Sequence, residues 1–72
     1  MYKENFHVKL KDARKTAGYT QTQVSEILNI PRSTIANYEL GRTEPDIESL
    51  GKMIDFYEVN ANWILGTGMK AK

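Results

Sequence analysis

Apolar residues recur at three- and four-residue steps along most of this chain, which is the period of an amphipathic α-helix. The first such run covers residues 5–17, with its apolar positions at Phe6, Leu10, Ala13 and Ala17. Gly18 follows, where a helix commonly ends in a left-handed residue. The pattern predicts a first helix over residues 5–17 with one buried face.

A second helix is predicted over residues 21–28. Thr20 precedes it as an N-cap, and Gln23 stands three residues later, in the position that completes a capping box. The apolar face of this helix is formed by Val24, Ile27 and Leu28. Asn29, which tolerates a left-handed backbone, is expected to end it.

A third helix is predicted from residues 31–32 to Leu40, because Pro31 presets a backbone angle suited to a helix start. Ile35 and Tyr38 repeat the apolar spacing, and Gly41 can close the helix. Two short helices, a tight turn with an apolar residue at Ile30 and a polar outward face form a helix-turn-helix pattern over residues 21–40.

The remaining apolar positions predict two more helices. Asp46 can cap a fourth helix, whose buried stripe is predicted at Ile47, Leu50, Met53, Ile54 and Tyr57. Asn60 can cap a short fifth helix over residues 61–65, ended by Gly66. We therefore expect one all-α domain of five helices over residues 1–68, followed by a flexible tail at residues 69–72.

The amino-acid composition argues against several classes of site and function. The 72 residues include no cysteine and one histidine, His7, so neither a thiolate metal site nor a zinc site is expected. No apolar run approaches the roughly 20 residues that a bilayer needs, and nothing resembles a signal peptide. No constellation of catalytic side chains is evident. We expect a cytoplasmic protein that is not an enzyme, binds no cofactor and does not contact membranes.

Charge is distributed unevenly. Up to Thr43 there are seven basic and four acidic residues, a balance of +3; from Glu44 onward there are three basic and five acidic residues, a balance of −2. The part that carries the helix-turn-helix pattern is therefore the positive part, which favours an anionic partner.

Residues 20–42 read Thr-Gln-Thr-Gln-Val-Ser-Glu-Ile-Leu-Asn-Ile-Pro-Arg-Ser-Thr-Ile-Ala-Asn-Tyr-Glu-Leu-Gly-Arg. This stretch resembles the Cro/repressor-type (XRE) helix-turn-helix family of bacterial and phage transcription regulators, and the resemblance extends from about Leu10 to about Gly66. It implies a compact five-helix, lambda-repressor-like domain. It also implies a sequence-specific regulator, a repressor by expectation, that binds double-stranded DNA in the major groove as a homodimer on a two-fold operator. No small-molecule ligand is expected.

The resemblance also implies roles for individual residues. In this family the second of the paired helices touches base edges with its N-terminal part. The positions that match as base-contacting are Arg32, Ser33, Thr34 and Asn37. Arginine can pair bidentately with guanine and asparagine with adenine, which suits these positions. The Ala36 methyl lies beside them and could contact a thymine methyl.

Other matches concern the DNA backbone and the scaffold. The candidate phosphate contacts are Gln21, Thr22, Arg42 and Thr43. Arg14 and Glu39 match a pair that forms a structural salt bridge in several family members. Trp63 and Leu65 are candidates for the dimer interface, although for Trp63 packing into the core of a small domain is the first expectation.

Two alternatives remain open on the sequence alone. Antitoxins use this fold as an interaction module that binds a toxin, and the controllers of restriction–modification systems use it as activators. The sequence also leaves open whether the chain is a whole Cro-sized regulator or a domain of a longer protein.

Overall fold

The computed structural model describes residues 5–65, without the side chains of residues 61 and 62, and folds them into five α-helices. The helices are α1 (Phe6–Ala17), α2 (Gln21–Leu28), α3 (Arg32–Leu40), α4 (Ile47–Tyr57) and α5 (Ala61–Leu65). The predicted all-α class and the order of the helices are thus confirmed. The domain end at residue 68, Gly66 and the tail at residues 69–72 lie outside the described residues.

The core takes one wholly buried side chain from each helix. These side chains are Leu10, Val24, Ile35, Met53 and Ile64. Helix α1 packs against α3, α4 and α5, and α2 packs against α3. Because every helix contributes to the same core, the orientation of α3 is set by the whole domain and not by α2 alone.

The helix-turn-helix unit is defined by local hydrogen bonds at its ends. Thr20 Oγ1 accepts a bond from the Gln23 amide at 3.1 Å, and Gln23 Oε1 accepts one from the Thr20 amide at 2.9 Å, which confirms the predicted capping box. Asn29 ends α2 in the left-handed conformation, with φ of 58°. Ile30 is buried in the turn, so the turn is pinned to the core.

Helix α4 is held at both ends by its caps. The Asp46 carboxylate accepts a hydrogen bond from the Ser49 backbone amide at 2.8 Å, and this bond holds the pKa of Asp46 below its usual value. The helix ends at Glu58, whose φ of 59° lies in the left-handed region. This C-terminal cap was not predicted, because glutamate carries no sequence signal for that conformation.

Two isoleucines assigned to buried faces are exposed, so the predicted stripes are wrong at these positions. Ile47 is 79% exposed and Ile27 is 55% exposed. Ile47 begins α4 and lies about 120° round the helix from Met53, outside the buried face. Ile27 and Leu28 flank the buried Val24 on either side, and the fold partly covers only the Leu28 side.

Replacing Gly51 by alanine should stabilise the domain by about 0.5–1 kcal/mol. Gly51 lies inside α4, and an added Cβ would meet nothing within 4 Å, so alanine gains helix propensity without a clash. Gly18→Ala is the matched control: its site is equally open, but its φ of +91° disfavours any side chain. Chemical denaturation should show opposite shifts, and a loss of stability in Gly51→Ala would contradict the prediction.

Candidate nucleic-acid interface

Helix α3 divides its residues between the core and an exposed face. Ile35, Tyr38 and Glu39 are buried, while Arg32 and Ser33 are exposed and Asn37 is partly exposed. At 3.6 residues per turn, Ser33 and Asn37 lie within about 40° of each other, near the centre of this face, and Arg32 lies at one edge of it, roughly 100° from Ser33. The structure therefore brings Ser33 and Asn37 to the centre of the exposed face and Arg32 to its edge.

The fourth candidate, Thr34, lies at the opposite edge of this face from Arg32. It precedes Asn37 by three residues, which places it about 60° round α3 from Asn37, and it is partly buried. Leu40 instead extends the exposed face at its C-terminal end, three residues after Asn37, and is 59% exposed. Sequence reasoning did not assign Leu40 to this face, although its spacing from Asn37 was available as a signal.

A buried ion pair ties α3 to α1. Arg14 Nε donates to Glu39 Oε2 at 2.8 Å and Arg14 Nη2 donates to Glu39 Oε1 at 3.0 Å, so the predicted salt bridge is present in bidentate form. The two side chains are only 9% and 2% exposed. The bond to Glu39 raises the pKa of Arg14 above its usual value. Arg14 Nη1 also donates to the Tyr19 carbonyl oxygen at 2.8 Å, which fixes the approach to α2.

Tyr57 lies in this interior and carries an unsatisfied polar atom. Its side chain is 5% exposed, and among the described side chains its hydroxyl is the buried polar atom that has no hydrogen-bond partner. Burial raises the pKa of the Tyr57 phenol well above its usual value of about 10. A buried hydroxyl without a partner costs free energy of folding.

Replacing Tyr57 by phenylalanine should raise the free energy of unfolding by about 1 kcal/mol, because it removes the desolvated hydroxyl and keeps the ring. Because the pKa of Tyr57 is raised in the fold, the unfolded chain ionises this phenol at a lower pH than the folded chain does. The stability of the parent protein is therefore fully retained below about pH 10 and decreases as the pH rises further. Denaturant titrations at pH 8 and above pH 10 should show the advantage of the phenylalanine variant growing. A variant less stable than the parent at both would contradict this.

Gln21 is the first residue of α2 and is partly buried. Its side-chain Nε2 donates to Glu39 Oε1 at 3.0 Å. The sequence suggested an amide donor aimed at a phosphate, and the structure adds an internal partner that no local pattern signals. The backbone amides of the first helical turn have no acceptors within the helix, so the end of α2 carries additional donors and the positive end of its dipole.

The other phosphate candidates are all exposed. Thr22 lies in the first turn of α2, while Arg42 and Thr43 follow the C-cap of α3, Gly41. The Arg42 backbone amide donates to the Asn37 carbonyl oxygen at 3.0 Å, which anchors the start of this loop to the C-terminal end of α3. The site therefore combines a polar helix face with flanking hydrogen-bond donors.

The two residues of α5 proposed for the dimer interface, Trp63 and Leu65, are less buried than their neighbour Ile64. Ile64 is wholly buried, whereas Trp63 is 44% exposed, so the expectation that Trp63 fills the core is wrong. Lys9 Nζ donates to the Trp63 carbonyl oxygen at 2.9 Å and lies 5.5 Å from the centroid of its ring. Leu65 is partly buried.

Residues 5–65 contain no group of three or more histidine, cysteine, aspartate or glutamate side chains that is arranged to hold a metal ion, as far as their side chains are described. None of the helices in that part of the chain combines the length and the hydrophobicity needed to cross a bilayer.

Comparison with known proteins agrees with this geometry. A helix-turn-helix family model matches residues 10–64. The HTH-type transcriptional regulator ImmR of Bacillus subtilis is 41% identical over 58 residues, which cover 81% of this chain and 46% of ImmR. The SPbeta prophage-derived HTH-type regulator YonR of the same organism is 33% identical over 60 residues, covering 83% of this chain and 56% of YonR. AnsR, a third regulator of that organism, is 29% identical over 58 residues, with 81% and 50% coverage. The chain spans about half the length of these relatives.

Proposed function

This chain belongs to the XRE-type (Cro/C1-type) helix-turn-helix family of DNA-binding transcription regulators, which are not enzymes, and we propose that it is a sequence-specific repressor that binds a two-fold operator as a dimer. The observation that carries the proposal is the division of α3. One side of this helix is locked into the core by Ile35, Tyr38 and Glu39, and the other presents Arg32, Ser33 and Asn37.

A helix of this kind fits the major groove of B-form DNA. The groove is about 12 Å wide, which matches the diameter of an α-helix with its side chains. Arg32 would pair with guanine O6 and N7, and Asn37 with adenine N6 and N7; Ser33 can bond to several bases. These contacts supply the sequence preference, and Thr34 beside them contacts the edge of the groove.

Backbone contacts would set the position of α3 in the groove. Gln21 and Thr22 stand at the positive end of α2, where free amides favour a phosphate. Arg42 and Thr43 stand exposed in the loop after α3, at the opposite end of this helix from Arg32. Contacts from the start of α2 and from this loop would hold α3 in register without reading sequence.

Dimerisation would place two recognition helices about 34 Å apart, in successive major grooves on one side of the duplex. Trp63 and Leu65 on α5 are the proposed interface. The exposed ring of Trp63 supports this assignment, since aromatic residues are enriched at the centres of protein interfaces. An occupied operator would then exclude RNA polymerase sterically in the bacterial cytoplasm.

Selection of bound sites from a random duplex library, repeated at two salt concentrations, tests the proposal. We expect a two-fold motif whose half-sites are centred about 10–10.5 base pairs apart, and we expect the motif to persist at the higher salt. Unbiased sequences whose binding collapses with salt would indicate phosphate attraction alone and would overturn it.

A further inference from the structure

Gln21 lies where three helices of the candidate interface meet. Its Nε2 donates to Glu39 Oε1, and that oxygen also accepts a bond from Arg14 Nη2, each at 3.0 Å. Arg14 Nε holds the other carboxylate oxygen at 2.8 Å. Both charged side chains are buried. The acceptor that binds Gln21 is therefore itself fixed in the interior, by a residue from a third helix.

This contact determines which end of the Gln21 amide faces inward. A carboxylate can only accept hydrogen bonds, so the amide nitrogen, and not the amide oxygen, must face Glu39. The nitrogen carries two hydrogens, and one of them is donated in the hydrogen bond to Glu39. Because Gln21 is only partly buried, its second hydrogen remains available for an acceptor outside the protein.

A DNA phosphate is also purely an acceptor. An unrestrained glutamine can present either its oxygen or its nitrogen, whereas a glutamine held by Glu39 presents N–H. Ordering the side chain before binding also removes part of the entropy cost that complex formation would otherwise incur. The bidentate bond from Arg14 offsets the negative charge of Glu39, which would otherwise repel the phosphate.

We propose that Glu39 is a positioning residue for the DNA backbone contact: it orients the Gln21 amide so that the second N–H donates to a phosphate at the start of α2. This inference rests on the proposed function and adds a role to a carboxylate that otherwise belongs to the scaffold. The ion pair that holds α3 thereby also sets the geometry of a contact made by α2.

The proton–nitrogen correlation spectrum of the Gln21 side-chain amide, recorded on the whole chain with and without a saturating selected duplex, tests this directly. A Gln21→Met variant identifies the signals by their disappearance. In the free protein we expect its two hydrogens to exchange with solvent at unequal rates, the hydrogen bonded to Glu39 being the protected one. On DNA binding the second hydrogen should shift strongly, while the protected one stays in place.

Affinity measurements supply an independent readout. Gln21→Met should weaken binding to every duplex roughly ten-fold, because a hydrogen bond to a charged group is lost at a position that reads no sequence. The dependence of affinity on salt should not change, since glutamine carries no charge. The matched control is Gln23→Met, the same change on the same helix. It removes the bond to the Thr20 amide and should lower stability, with unchanged affinity per folded molecule.

Three results would overturn the inference. The two hydrogens could exchange equally fast in the free protein, the signal of the second hydrogen could remain unmoved in the complex, or the protected hydrogen could become exposed when DNA binds. If no duplex binds at all, the proposed function fails and the inference fails with it. That case is distinct, because the spectrum of the free protein would still report the contact with Glu39.

Discussion

Replacing Glu39 by glutamine should destabilise the domain by roughly 3–5 kcal/mol, the typical cost of removing one partner from a buried ion pair. The substitution keeps the shape of the side chain but leaves the Arg14 guanidinium buried without its counter-charge. For a domain of this size each kcal/mol lowers the melting temperature by about 4–8 °C, so a decrease of more than 10 °C is expected. Thermal and denaturant unfolding measure it, and an unchanged melting temperature would contradict the prediction.

Two further variants distinguish the loss of stability caused by an unpaired buried charge from any effect of the glutamate-to-glutamine change itself. Glu26→Gln makes the same substitution at an exposed position of α2 and should shift stability by less than about 0.5 kcal/mol. The double variant Arg14→Met with Glu39→Met should recover most of the lost stability, because no charge is then left buried. The shortfall would measure what the Tyr19 carbonyl and the Gln21 amide lose when their partners are removed.

The local features of this fold follow from the sequence because they depend on near neighbours. The capping box at Thr20 needs only a hydroxyl and a glutamine three residues on, and Asn29 can adopt its left-handed conformation without tertiary help. The helix-turn-helix was therefore predictable almost to the residue. The buried side chains of each helix were predictable wherever the apolar period was unambiguous, as at Ile35.

Features that depend on packing between helices were not predictable in this way. Ile47 fits an apolar stripe by spacing, but only the neighbouring helices decide how far round α4 the fold covers it. Ile64 and Trp63 are adjacent large apolar residues, and the rotation of α5 against α1 decides which one enters the core. The bond from Gln21 to Glu39 joins residues 18 positions apart and exists only once three helices have packed.

For the site residues too, the sequence supplied the candidates and the structure supplied their geometry. The pairing of Arg14 with Glu39 came from a family resemblance, and its bidentate, buried geometry came from the structure. Contacts with DNA remain predictions for every candidate. Exposure supports Arg32 and Ser33 most strongly, because Thr34 and Asn37, which neighbour each other on α3, are both partly buried.

Replacing Arg32 by alanine should cost roughly 1–3 kcal/mol in affinity for the selected site, a loss of about 5- to 150-fold, and should relax the preference at one base pair of each half-site. Arg32 is exposed at the first position of α3, where the side chain meets base edges when a helix of this kind docks. Repeating the site selection with the variant, alongside titrations on single-base variants of the site, measures both effects.

A comparison with variants of Arg42 distinguishes a base contact by Arg32 from a phosphate contact. Arg42→Ala removes the same charge from a loop position and should weaken binding about equally on all sequences, with the salt slope reduced by about one. Arg32→Lys keeps the charge but loses the planar pair of donors, so it should retain the salt slope and still lose the base preference. If Arg32→Ala behaves like Arg42→Ala, Arg32 contacts a phosphate, and sequence reading must be assigned to Ser33 and Asn37 instead. A preference that relaxes at one base pair, with binding to unrelated duplexes nearly unchanged, would identify Arg32 as a residue that reads the operator.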